Sequence, residues 1–292
     1  MSVTPRQRFA AALASGEMIE APGCYDGLTA KLIERAGFNA CYMTGAGTAS
    51  SFGLPDYGLL TATEMVANAA RIAAAVDIAV IADADTGFGN ELNVTRAVWD
   101  YERAGVAAIH IEDQGFPKKC GHLDDKEIVP LQDWLAKIRA AAAARRDPDF
   151  KIIARTDSNA MIGFEEAVSR ANAALAAGAD IAFIEAPKTD EELAAVCQRV
   201  NGPCLFNLVL RGKTPPVTLE QLRSLGFALT IMPDLLWREM VMRAEEVLTD
   251  VKAGQLPSQT EGLKVSELFE RVGSKEWDAL RGSFAEPAQA AE

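Results

Sequence analysis

Three carboxylates stand where two apolar runs of this sequence end. The stretch "IADADTGFGN" sets Asp83 and Asp85 two residues apart, so in an extended segment both point the same way, and Gly87 and Gly89 let the chain turn tightly beyond them. Glu112 closes the next run, "AAIHIE". Left bare, such charges repel and raise one another's pKa. A hard divalent cation with oxygen ligands resolves that, and Mg²⁺ keeping several of its waters suits so sparse a set better than Ca²⁺. The bland alternative is that strand-end aspartates cap helices and pair with bases.

A second cluster lies in "GFPKKCGHLDDKEIVP", residues 115 to 130, where Lys118, Lys119, Cys120 and His122 crowd around Gly121. Zinc is disfavoured, because Cys120-Gly-His122 lacks ligand spacing and no second Cys/His cluster completes four ligands. The segment between the run ending at Glu112 and the helical "LQDWLAKI" is about 17 residues, against the usual two to six, which points to a lid or binding loop. Two lysines and a protonated histidine would depress the Cys120 pKa and suit the loop to cover an anion; a solvated loop with an incidental Cys is the plain alternative. Arg155, at the end of "KIIAR", is costly inside a core unless Glu185 or Asp157 neutralises it or it forks onto a substrate carboxylate. In "YMTGAG" the backbone N–H groups of Thr44, Gly45 and Ala46 could cradle an anion.

These residues need elements to hold them. Short apolar runs at 21–26, 39–44, 78–83, 107–112, 151–155, 181–185, 203–207 and 228–233 alternate with Ala-rich segments whose apolar residues recur at three and four. Thr61-x-x-Glu64, Thr189-x-x-Glu192 and Thr218-x-x-Gln221 read as capping boxes. A weak repeat places Gly37, Gly105, Gly178 and Gly226 just ahead of strands, where a helix end needs a left-handed residue. Eight strand–helix units with continuously apolar strands predict an α/β fold, a (β/α)8 TIM barrel, over residues 1–254. A doubly wound open sheet is the runner-up, but no G-x-G-x-x-G follows the first strand. Residues 255–292 form a C-terminal helical extension whose Leu268, Phe269, Val272 and Trp277 are expected to dock on another helix, including one of a neighbouring subunit.

The totals set limits. The 292 residues carry 29 Lys and Arg against 41 Asp and Glu, a net charge of −12, with no long basic block; neither nucleic acid nor an anionic membrane is an expected partner. No apolar run reaches the roughly 18 residues of a membrane span, and the N-terminus makes a poor signal peptide. Five scattered cysteines suit a reducing, cytoplasmic setting.

The Y-x-[ST]-G turn at Tyr42, "DADTGFGN", "IEDQ", "KKCGH", "ARTD", "IEAP", and Asn207 followed by "GKTP" together resemble the isocitrate lyase/phosphoenolpyruvate mutase superfamily over nearly the whole chain. "KKCGH" is similar to the lyase branch, the methylisocitrate and 2,3-dimethylmalate lyases. The resemblance implies a barrel whose last helix is exchanged between subunits, a homotetramer built from helix-swapped dimers, and Mg²⁺, with Mn²⁺ as substitute, held by Asp83, Asp85 and Glu112. It further implies that Tyr42, Thr44, Gly45, Ala46, Gly121, Arg155, Glu185, Asn207, Pro233 and Arg238 surround a di- or tricarboxylate, with Cys120 as proton donor tuned by Lys118 and His122. The chemistry expected is retro-aldol cleavage of a 2-hydroxy dicarboxylate. "NLVLRGKTP" sets Leu208, Val209 and Leu210 where methylisocitrate lyases carry Asn-x-Thr-Glu, and "LKVSEL" lacks their Arg, which favours a smaller alkylmalate. Decarboxylation or hydrolysis of oxaloacetate, a phosphonopyruvate-type reaction, and a non-catalytic binding barrel are the competing readings.

Overall fold

Inward and outward residues alternate along each short strand, and that alternation builds the barrel. In the computed structural model, which describes residues 3–121, 126–258 and 260–284, eight parallel strands close in sequence order. They are β1 (Ile19–Cys24), β2 (Ala40–Met43), β3 (Ala79–Asp83), β4 (Ala108–Glu112), β5 (Lys151–Thr156), β6 (Ile181–Ile184), β7 (Cys204–Asn207) and β8 (Leu229–Met232). The ring is closed by β8 against β1, with Ile19 opposite Leu229 and Ala21 opposite Ile231. All eight expected strands are present; no open sheet forms.

One parity of each strand, with Ala21, Ala40, Ile81, Ile153, Phe183, Leu205 and Ile231, fills the barrel interior. The other parity, with Val80, Ala82, Ile109, Ile111 and Ile152, packs outward under the helices. The helix Pro5–Ser15 joins the inner cluster through buried Phe9 and carries a Thr4–Gln7 capping box. Thr61 and Thr218 form the expected reciprocal boxes. Thr189 caps Glu192 N–H, but the Glu192 carboxylate accepts from Asn159 and from Lys188 N–H instead of returning to the cap. Gly37, Gly105, Gly178 and Gly226 have φ of 91°, 87°, 110° and 90°, the left-handed turns that the repeat requires.

The chain divides into two compact units, residues 1–240 and 241–292. The first contains the whole barrel. In the second, helices Val265–Glu270 and Ser274–Ser283 expose Leu268, Phe269, Trp277 and Leu280. Among the described residues no helix is long and apolar enough to cross a membrane.

Candidate active site

The inward parity that is apolar through the barrel turns polar at the C-terminal ends of the strands. Tyr42, Asp83, His110, Glu112, Arg155, Glu185 and Asn207 continue the inward rows of β2 to β7. Each but Glu112, which lies two beyond His110, is reached by adding two to an interior apolar position, as from Ile81 to Asp83, Ile153 to Arg155 and Phe183 to Glu185.

At the base of this layer the Tyr42 hydroxyl shares a 2.7 Å hydrogen bond with His110 Nε2, and the two rings stack. Burial pushes His110 down to about 4, so it is neutral at physiological pH. Asp83 is held at about 2: burial opposes this, but His110, Lys118 and the Asp85 N–H favour its charge. Near neutrality His110 is uncharged, so the Asp83 charge is favoured there by Lys118, the Asp85 N–H at 2.9 Å and Arg155. Asp85, also buried, is pushed up to about 6 by burial and by Asp83, against the opposing pull of Lys118. The extended geometry expected of this pair stops short of Asp85, which has φ of 46° and already belongs to the turn.

Lys118 is buried, and its ammonium lies 2.7 Å from Asp56 Oδ1 and 2.8 Å from Asp85 Oδ1. Burial works against its charge, and Asp85, Asp83, Asp56 and Glu112 together hold its pKa well above the ordinary lysine value. Glu112 is pushed well up by burial, with no hydrogen-bond donor among the described residues on either carboxylate oxygen and Arg155 Nε 3.3 Å away. No three His, Cys, Asp or Glu side chains converge into a metal-binding group among the described residues. The acidic set gathers instead around the Lys118 ammonium, a cation standing in among hard oxygen donors. Asp83, Asp85 and Glu112 thus fit a hard divalent ion by donor chemistry, and the Glu112 oxygens, which meet Arg155 but accept no hydrogen bond from the described residues, keep lone pairs for it.

Arg155 is paired bidentately with Asp157, at 2.9 and 3.2 Å, and stacks over Phe183. Its other neighbours are Glu112 and, at 3.8 Å, Glu185. Asn207 donates to both oxygens of Glu185. A Cβ on Gly121 would strike Arg155 Nη2 and Glu185 Oε1, and one on Gly45 would strike Asp83 Oδ2, so only glycine allows either close approach. The Thr44 N–H donates to the Cys24 carbonyl at 3.0 Å, and its hydroxyl caps Gly47, so Thr44 contributes no N–H to an anion cradle.

A cavity of about 140 Å³ opens above this layer. It is lined by Tyr42, Thr44, Ala46, Asp83, Lys118, Cys120, Gly121, Arg155, Glu185, Asn207, Pro233 and Arg238, with Asp56, Val209, Asp234 and Trp237. Gly45 and Asp85 border a smaller recess beside Asp56. His122 lies outside the described residues. Arg238 is bound to Asp234 and to the Leu210 carbonyl, so its charge is already neutralised. A larger cleft, about 630 Å³, lies at the opposite end of the barrel, lined by Arg8, Phe9 and Phe38, and contains none of these groups.

Sequence reasoning missed Asp56, His110, Asp234 and Trp237. His110 had a signal, its inward parity between Ala108 and Glu112. Asp56 sits in the loop "GLPDYG" with no periodicity to mark it, and Trp237 lies in the helix after β8, beyond any strand end.

A closed parallel barrel with carboxylates, an arginine and a thiol at its C-terminal mouth defines a (β/α)8 enzyme of organic-acid chemistry. The family described as phosphoenolpyruvate phosphomutase matches residues 9–252, and the chain belongs to this phosphoenolpyruvate mutase/isocitrate lyase superfamily. It is 50% identical over 222 residues to the 2,3-dimethylmalate lyase of Eubacterium barkeri, covering 76% of this chain and 77% of that one. It is 45% identical over 235 residues to the 2-methylisocitrate lyase of Aeropyrum pernix, covering 80% and 76%. Among solved structures, oxaloacetate acetylhydrolase bound to 3,3-difluorooxalacetate matches with a TM-score of 0.94 at 34% identity, covering 98% of this chain and 99% of that one. Phosphonopyruvate hydrolase in complex with oxalate and Mg²⁺ matches with a TM-score of 0.87 at 33% identity, covering 97% and 100%.

Proposed function

We propose that this protein is a Mg²⁺-dependent carbon–carbon lyase that cleaves a small 2-hydroxy dicarboxylate of the alkylmalate class into an α-keto acid and a carboxylate. The observation that carries the reading is the mixed lining of the cavity. Its lining combines the polar Arg155, Glu185 and Asn207 with the apolar Val209, Pro233 and Trp237. The 50% identity to a 2,3-dimethylmalate lyase supports the same class.

Mg²⁺, with Mn²⁺ as substitute, would be held by Asp83, Asp85 and Glu112 and would polarise the oxygens of the keto-acid half. Arg155 offers that half a cation pre-oriented by Asp157, and Tyr42, Thr44, Gly45, Ala46 and Glu185 enclose it. A base takes the 2-hydroxyl proton, the oxygen forms the ketone C=O as the C2–C3 bond breaks, and that bond's electron pair stays on the other half as a carbanion. Cys120, on the same loop as Gly121, donates the proton that quenches it, with Lys118 and His122 setting the local charge. A third carboxylate would meet Val209 and Trp237 and an Arg238 already matched by Asp234, so tricarboxylates such as methylisocitrate should be poor substrates.

Oxaloacetate hydrolysis or decarboxylation is the second reading, favoured by the likeness to oxaloacetate acetylhydrolase and by the small cavity. A panel of 2-hydroxy dicarboxylates and oxaloacetate, assayed with Mg²⁺ for keto-acid release, separates the two. Cys120→Ser should cost the lyase about 10²–10⁴-fold in turnover, the usual worth of a positioned acid, and a decarboxylase little. No keto acid from any alkylmalate would end the lyase reading. We further propose a catalytic barrel of residues 1–254 and an extension, 255–292, exchanged between subunits of a homotetramer. None of the five cysteines is in a disulfide, which supports a cytoplasmic setting.

A further inference from the structure

One buried cation is absorbed by none of this chemistry. Lys126 is 4% exposed, and its ammonium lies 2.6 Å from Asp157 Oδ1 and 2.5 Å from the Gly121 carbonyl. Asp157 also receives the fork of Arg155. It is anchored from behind: its N–H donates to Asp113 Oδ1 at 2.8 Å, and Asp113 in turn accepts from Thr156 and Arg170. Gly121 presses so closely on Arg155 and Glu185 that no side chain fits between.

We propose that Lys126 is a positioning residue that fastens the loop bearing Cys120 and Gly121 to the anchored Asp157, and thereby fixes the Cys120 thiol and the Arg155 guanidinium relative to each other. The physical reason is that Asp157 holds two cations at once. An ammonium with no proton acceptor would be costly at this depth, and here a carboxylate and a carbonyl satisfy it. Without it, Asp157 pairs with Arg155 as its one cation and draws that guanidinium away from the cavity, while the Gly121 carbonyl loses the Lys126 donor and the segment at 120–121 is held less tightly. A misplacement of about 1 Å at a reacting group costs as much as 10²-fold in rate.

The proposal rests on the lyase reading for its kinetic arm only. In the Mg²⁺-loaded full-length protein, Lys126→Met should lower kcat on the best substrate of the panel at least ~10-fold at a temperature well below melting. Iodoacetamide alkylation, followed peptide by peptide, should speed up at Cys120 several-fold while Cys197 on the helix Asp190–Arg199 stays at the wild-type rate. Lys126→Arg, which keeps the charge, should restore part of both. A merely structural lysine would lower the melting temperature without changing the ratio of Cys120 to Cys197 labelling. An unchanged ratio in Lys126→Met overturns the inference even if activity falls. If that variant does not fold, Asp157→Asn, which removes the anchor, is scored by the same labelling ratio: a rise supports the inference, and no change overturns it. Absence of turnover in the wild type would defeat the lyase reading and leave the labelling arm standing.

Discussion

Gly121 and Gly45 decide how closely a backbone can approach the charged layer. A methyl group on Gly121 must displace Arg155 or Glu185, and one on Gly45 must displace Asp83. Gly121→Ala is expected to lower kcat/KM by about 10²-fold through misplacement of Arg155, with the melting temperature within a few degrees of wild type, checked by steady-state kinetics beside calorimetry. Gly45→Ala should weaken Mg²⁺ binding, read as a higher Mg²⁺ concentration for half-maximal thermal stabilisation. Both glycines are visible in the sequence as types; the reason each must be glycine is the carboxylate or guanidinium that folding brings beside it. Asp56 shows the converse, an acid 29 positions before Asp85 that shares the Lys118 ammonium with it. Nothing in its local pattern could announce that partnership.

Periodicity made the elements legible, because burial of one face imposes it. The eight strands emerge where expected since their runs are apolar on both parities, and the helices between them show the three-and-four spacing of a covering layer. Trp134, fully buried on the helix Leu131–Ala144, illustrates the energetic side. Trp134→Ala should cost about 3–5 kcal/mol in urea unfolding, and Trp134→Phe distinctly less. The indole N–H finds no acceptor among the described residues, so phenyl in its place forfeits volume and no hydrogen bond to them. Capping is smaller: Thr61→Ala should cost about 1 kcal/mol by the same measurement. Thr189 was expected to form a box and forms half of one, because Glu192 has better partners in Asn159 and Lys188. Local motifs yield when tertiary contacts offer a competing acceptor.

For the whole molecule, the Asp113–Asp157 pair ties stability to pH with two opposite signs. Asp157 is held below the ordinary aspartate range: burial opposes its charge, but Arg155 and Lys126 more than offset that. Its contribution is therefore present above about pH 4 and is lost as pH falls through the unfolded value toward its own lower one. Asp113 is pushed up to about 6, first by burial and then by Asp157, so its contribution is full below about pH 4 and lost as pH rises through 6. Asp157→Asn removes the first effect and shrinks the second. The variant's stability should fall less than that of wild type between pH 4 and 2 and be flatter between 4 and 6, measured by denaturant titration across that range. The exposed Leu268, Phe269, Trp277 and Leu280 belong to this scale too. If a second subunit covers them, sedimentation mass should drop on Trp277→Glu, and the melting temperature of the wild type should rise with protein concentration.

The sequence by itself determined the barrel, because strand length, apolar parity and glycine punctuation are local consequences of burying one face, and they recur eight times. It also determined most of the strand-end polar set, since the mouth of a barrel is where inward parity outlasts the core. Only the tertiary structure decided the pairings: Lys118 with Asp56 and Asp85, and Lys126 with Asp157. Which cation meets which anion depends on distances between loops that follow different strands, and those distances exist only once the ring has closed.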